Sequence, residues 1–226
     1  MVTKKKVSNP TPGGDNYPVM FLDIETRGNE KAIALLDPIK APGNLKDPAK
    51  IEAAIEEKTQ ERIERAPLDS DLGLIAGIGY KIGSKGEVVT NVVTKKNTEV
   101  KVLEDFWMQF AIVGGRCAGY NILNFDLPYI VKRSFDLGVR PSLLPSLIKY
   151  RTEPVTDLFM LLSGWDYRNG HNFKWICKRY GITVLDEGTD GSMVKDMNET
   201  ELKKYMFSDV TATCELYFRM RGYYFI

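Results

Sequence analysis

The apolar run Val19-Met20-Phe21-Leu22, closed by Asp23-Ile24-Glu25, constrains this chain more than any other feature. So apolar a segment reads as a buried strand, and in a strand side chains two apart share a face. Asp23 and Glu25 therefore project together, while Leu22 and Ile24 turn into the core. Two adjacent carboxylates repel and raise each other's pKa unless a cation sits between them. Their hard oxygens suit magnesium or manganese. By itself the pattern is weak, because a protein of 226 residues contains on the order of one Asp-x-Glu by chance.

The rest of the chain supplies partners for that strand. Residues 74–82 and 87–94 read as two further strands joined by a hairpin turn at Gly83-Ser84-Lys85-Gly86. Residues 98–110 place Leu103, Phe106, Trp107 and Phe110 on one helical face. A short strand is expected over 116–121, then helices over 125–137, 157–162 and 172–180, with Gly138 and Gly181 as stops. The last helix starts at Asn198, a good N-cap with Glu201 three residues on, and runs to about Arg221. Strands followed by alternating helices give an α/β class, a mixed sheet flanked by helices. Residues 1–17 are expected to form a flexible arm ahead of one domain over 18–226, with a helical insert at about 30–73. Within the insert, Asp47 and Pro48 start a helix whose stripe of Ile51, Ile55 and Ile63 is narrow. The favoured reading is a solvated surface helix packed along one thin edge; the sharper one is a flap over a substrate cleft or a docking surface.

Composition excludes several classes. A hydrophobic fraction of 43% with 27% charged residues is that of a soluble globular protein, and no apolar stretch is long enough for a membrane span. Lys4, Lys5 and Lys6 are not followed by the apolar core of a signal peptide, so a cytoplasmic location is expected. Cys117, Cys177 and Cys214 are odd in number and far apart, which fits buried small hydrophobes better than disulfides or a zinc site. Of 31 basic and 30 acidic residues, the first 18 hold Lys4, Lys5, Lys6 and Asp15; the remainder are 28 basic and 29 acidic. Nucleic acid, if it binds here, is not held by a bulk positive charge.

Two more motifs carry chemistry. In Asn121-Ile122-Leu123-Asn124-Phe125-Asp126-Leu127-Pro128-Tyr129 a strand gives way to a helix, with Pro128 in its first turn. Asp126 then stands at the positive helix end, free to face the strand edges. In Tyr205-Met206-Phe207-Ser208-Asp209, residues four apart share a helix face, so the Tyr205 hydroxyl and the Asp209 carboxylate meet one site. Taken singly, each has a plain structural explanation: a helix start, or a surface aspartate beside a core-edge tyrosine.

In this order, Asp23-x-Glu25, Asn121-x-x-x-Phe125-Asp126-x-Pro128-Tyr129 and Tyr205-x-x-x-Asp209 resemble the three motifs of the DEDD superfamily of 3′→5′ exonucleases. The resemblance is to the tyrosine branch and to the proofreading exonuclease domain of family B DNA polymerases, over about residues 18–220. The second motif is the specific one, expected by chance in fewer than about one protein per thousand. The sister branch needs a histidine where this chain has Lys204, and the single histidine, His171, lies far upstream.

The resemblance implies a ribonuclease H-like fold and two divalent ions, Mg2+ or Mn2+, held by Asp23, Glu25, Asp126 and Asp209. It implies that Tyr205 orients the attacking water, and that Thr26, Asn121 and Phe125 contact the terminal nucleotides of a single-stranded DNA 3′ end. The chain ends just after the third motif, so proofreading is expected only in trans, beside a separate DNA polymerase. The insert and the short length also resemble stand-alone exonucleases of phage-type replication modules. The rivals are an exoribonuclease, a non-catalytic nucleic-acid-binding subunit on the same fold, and a ribonuclease H-like endonuclease or resolvase. Beyond the motifs, Asp157 reads as an ordinary helix cap and Lys174, Lys178 and Arg179 as a solvated face. Residues 223–226, Tyr223-Tyr224-Phe225-Ile226, read as a tail tucked on the core.

Overall fold

The computed structural model describes residues 18–185 and 191–226; the expected arm at 1–17 lies outside them. Five strands form one mixed sheet: β1 (Met20–Gly28), β2 (Gly73–Ile82), β3 (Val88–Val92), β4 (Cys117–Gly119) and β5 (Val155–Asp157), in the spatial order β3-β2-β1-β4-β5. The β1–β2 and β2–β3 pairs are antiparallel, whereas β4 runs parallel to β1 and β5 parallel to β4. Helices cover both faces: α3 (Glu99–Ile112) and α4 (Asp126–Leu137) pack one, and α7 (Glu199–Met220) the other. The arrangement is an α/β sheet of the ribonuclease H-like kind.

Alternation along β1 divides the core. Met20, Leu22 and Ile24 join Leu103, Phe106, Trp107, Phe110, Leu127 and Ile130 on one side. Phe21 faces the other, against Val210 and Tyr217 of α7. The acids follow Phe21 onto the α7 side.

Helix ends obey their local chemistry. Asn198 and Glu201 form a full capping box for α7, and Gly138 takes the left-handed conformation that ends α4. Gly181 does the same for α6 (Phe173–Tyr180), while Asn29 caps the short α1 (Glu30–Ile33) and Asp47 caps α2 (Pro48–Arg65). Glu99 and Arg133 tie α3 to α4 through two hydrogen bonds of 2.9 and 3.0 Å, and Glu99 also accepts the Ile75 N–H of β2. All three cysteines are buried and free. Among the described residues no helix is long and apolar enough to cross a membrane.

Two sequence expectations need correction, and one strand was not foreseen. The strand expected over 116–121 stops at Gly119, because Asn121 enters the left-handed region at φ 65°. The helix read over 157–162 is present as α5 (Leu158–Leu162) with Asp157 as its N-cap, but the strand β5 that leads directly into it was not expected. The C-terminal end is tucked only at Phe225, which packs on Tyr217, while Tyr223 and Ile226 are exposed.

Candidate active site

Parallel pairing of β1 with β4 extends only from Met20↔Cys117 to Phe21↔Ala118, so β1 outruns its neighbour toward Gly28. Crevices at the carboxyl ends of strands are where α/β sheets place ligands. Beyond the reach of β4, the Ile24 N–H donates to Asp126 Oδ1 at 3.1 Å. Asp126 thereby fastens the start of α4 to β1.

Asp23 and Glu25 lie opposite Gly79 and Gly77 of β2. Both glycines face α7: a Cβ on Gly79 would stand 2.9 Å from Val210 Cγ2, and one on Gly77 2.8 Å from Met206 Sδ. The missing side chains let α7 settle close against the sheet, bringing Tyr205 and Asp209 over the acids of β1. Ligand oxygens of Asp23, Glu25 and Asp209 fall within 4.8 Å of one another. Asp126 lies outside that triad, set back at the strand edge. Tyr205 directs its hydroxyl at Asp209.

Burial and mutual repulsion set the electrostatics. Burial is the largest cause holding Asp23 and Glu25 well above the ordinary carboxylate range, with the neighbouring acids adding to it. Asp126 is pushed up to about 7 by burial, against the lowering effect of its backbone hydrogen bonds. Burial also raises Asp209 to about 6, opposed by the Lys174 ammonium and the Tyr205 hydroxyl. Burial, then the Asp209 charge, drive the Tyr205 phenol far up, so it keeps its proton at neutral pH. Two buried carboxylate oxygens, Asp23 Oδ2 and Asp209 Oδ1, have no hydrogen-bond partner. Orphaned buried acceptors in an all-oxygen set fit a hard divalent cation.

The acids open onto a cleft of about 780 Å3. Tyr120, Phe125 and Phe173 supply an aromatic wall, and Met193, Lys195 and Asp196, ahead of α7, another. Arg27 holds that last segment by donating to the Val194 and Met197 carbonyls. Of the substrate contacts expected from the sequence, Phe125 and Thr26 line the cleft, but Asn121 does not; its side-chain oxygen accepts from Asn124. The Thr26 hydroxyl donates to the Pro67 carbonyl, tying β1 to the end of the insert.

That tie changes the reading of the insert. None of α2 is buried, as a solvated helix requires, yet Ile63, Glu64, Pro67 and Leu68 form a rim of the cleft. Ile63, near the end of α2, and Leu68, just beyond it, are exposed at that rim.

Asp157 was also undervalued as a cap. Its carboxylate is fully buried and caps α5 through the Met160 N–H, but it also accepts the Asn121 and Leu123 N–H groups at 3.0 Å each. The loop between β4 and α4 is hung on this one side chain. No local pattern encodes such a contact, since 34 and 36 positions separate the partners.

No protein-family model matches the chain, and no curated protein does. Among solved structures, the fold is similar to that of the family B DNA polymerase from the hyperthermophilic archaeon Pyrobaculum calidifontis. The TM-score is 0.53 at 17% identity, and the match covers 90% of this chain and 24% of the polymerase. A family B polymerase is thus a structural neighbour in fold, and within that fold this chain gathers Asp23, Glu25 and Asp209.

Proposed function

We propose that this chain is a 3′→5′ exonuclease of the tyrosine branch of the DEDD superfamily, removing nucleoside monophosphates from single-stranded DNA ends. The observation that carries the reading is the meeting of Tyr205 and Asp209, one turn apart on α7, with Asp23 and Glu25 on β1. Support comes also from the polymerase neighbour, and the polarity of attack rests on the resemblance of the three motifs.

Asp23, Glu25 and Asp209 would hold divalent ions, with Asp126 behind them at the strand edge. When bound, such ions lower the pKa of water and neutralise charge developing on phosphate oxygens. Tyr205 is the wrong group for a base, since burial keeps its proton in place. Its hydroxyl instead orients the attacking water by a hydrogen bond while Asp209 faces the same point. Phe125, Tyr120 and Phe173 offer π-faces to terminal bases without reading their identity, which suits an enzyme indifferent to sequence. The aromatic wall and the Ile63–Leu68 rim flank the approach, an arrangement that suits a single strand whose bases are free to stack. A separate DNA polymerase is the proposed protein partner, on the resemblance alone.

The test compares three substrates under magnesium or manganese: a linear DNA strand, the same sequence circularised, and its RNA counterpart. Release of mononucleotides from the linear DNA alone is the expected result. Preference for RNA would move the reading to an exoribonuclease, and cleavage of the circle to an endonuclease.

A further inference from the structure

One residue joins the acidic cleft to a second groove. Lys174 follows Phe173 of the aromatic wall in the first turn of α6, where a helix disfavours positive charge. Its ammonium lies 5.3 Å from the centroid of the Tyr205 ring, and its charge acts on both Glu25 and Asp209. The cleft's acids thus offset the unfavourable placement. The same side chain lines a groove of about 420 Å3 with Trp175, Lys178, Ile182, Thr183 and Val184.

The groove has the makings of a nucleotide site. Trp175 is 42% exposed, large for an indole. It is held in orientation by the His171 ring, stacked on it at 4.0 Å between centroids and 24° between planes. The Arg179 guanidinium lies 5.7 Å from the indole. Along its eight residues α6 carries Lys174, Lys178 and Arg179 and no acid, in a chain whose charges otherwise balance. A fixed aromatic platform flanked by cations is how sequence-indifferent proteins hold single strands.

We propose that this groove binds a nucleotide of the single strand upstream of the end being cut. Its base stacks on Trp175 in place of the Arg179 guanidinium that lies over the ring, and the adjoining phosphates meet Lys174 and Lys178. The proposal rests on the exonuclease reading. It extends the substrate path along α6, so that the strand leaves the acidic cleft over Lys174 and crosses the indole.

The chain's three tryptophans make the test direct, because Trp107 is buried and Trp165 partly so, leaving Trp175 as the exposed reporter. Oligothymidylates of two and eight nucleotides are titrated into the full chain in calcium, following tryptophan fluorescence and affinity across a salt series. The eight-nucleotide strand is expected to quench wild type and not Trp175→Leu. Trp175→Leu should bind it about tenfold more weakly, and Trp175→Phe should recover most of that loss. In the Lys174→Met/Lys178→Met double variant the log–log salt slope should fall by about 1.4, roughly 0.7 for each phosphate contact. Variants that match wild type in affinity, quench and slope, while wild type binds and trims the strand, overturn the groove and leave the exonuclease reading intact. Wild type that neither binds nor trims the strand takes down the exonuclease reading and the groove with it.

Discussion

Asp157→Ala removes the side chain on which the loop between β4 and α4 hangs. Three N–H groups lose their acceptor: the buried Leu123 and Met160, at 3.0 and 3.1 Å, and the partly buried Asn121, at 3.0 Å. A buried donor left unsatisfied costs about 1–3 kcal/mol. Relief from burying a carboxylate, whose pKa burial has raised, returns part of that loss. The net destabilisation should be about 3–5 kcal/mol. For a chain of this size, that corresponds to a fall in Tm of roughly 6–20 °C. Asp157→Asn keeps the volume but only one accepting oxygen, so it should fall between the two. Urea and thermal unfolding by circular dichroism measure the loss. Strand trimming well below the variant's Tm then reads the effect on Phe125 and Asp126, which the freed loop carries. An Asp157→Ala variant within about 1 kcal/mol of wild type would refute the suspension of the loop by this carboxylate.

Other expectations follow from the same geometry. Divalent ions at about a hundred times their Kd should stabilise the chain by about 2.7 kcal/mol, or roughly 5–10 °C in Tm, and Asp209→Asn should remove most of that shift. In EDTA, the raised Asp126 and Asp209, at about 7 and about 6, mean that the folded state binds more protons than the unfolded between pH 4 and 7. Their stabilising contribution is therefore full in acid and lost as pH rises through those values. Asp126→Asn should melt higher than wild type at pH 8 in EDTA and show a flatter dependence on pH; a lower Tm would contradict the sign. Gly79→Ala should push Val210, and α7 with it, away from β1, costing about 1–3 kcal/mol. Turnover should fall more than strand affinity, and unchanged turnover would mean that α7 has room to spare.

Much of the fold was legible because it is written in local chemistry. Asn198 with Glu201, Asp47 with Pro48, and the stops at Gly138 and Gly181 mark helix ends through contacts within a few residues. The alternation around Asp23 and Glu25 assigns faces before any partner strand is known. Where the sequence reading failed, the determinants were distant or too short to repeat. Three residues of β5 contain no period to detect, and their pairing with β4 was invisible. Asn121 turns left-handed where its N–H meets Asp157, a partner 36 positions on. Gly77 and Gly79 carry no local signal of their role, which is to set how closely α7 can approach. Arg27 gave no signal at all, because its acceptors are backbone carbonyls near position 195. Among the candidate site residues, the meeting of Asp23, Glu25, Tyr205 and Asp209 could be anticipated from periodicity and the resemblance. The anchoring of Asp126 on the Ile24 N–H and the withdrawal of Asn121 from the cleft could not.

The most direct test is digestion of a 5′-labelled single-stranded DNA oligonucleotide by the purified chain with magnesium or manganese, beside EDTA and Asp209→Ala controls. A descending ladder of labelled products that needs the metal and vanishes in the variant is the expected result. Folded protein that yields no ladder with either metal, or a ladder that persists in Asp209→Ala, would contradict it.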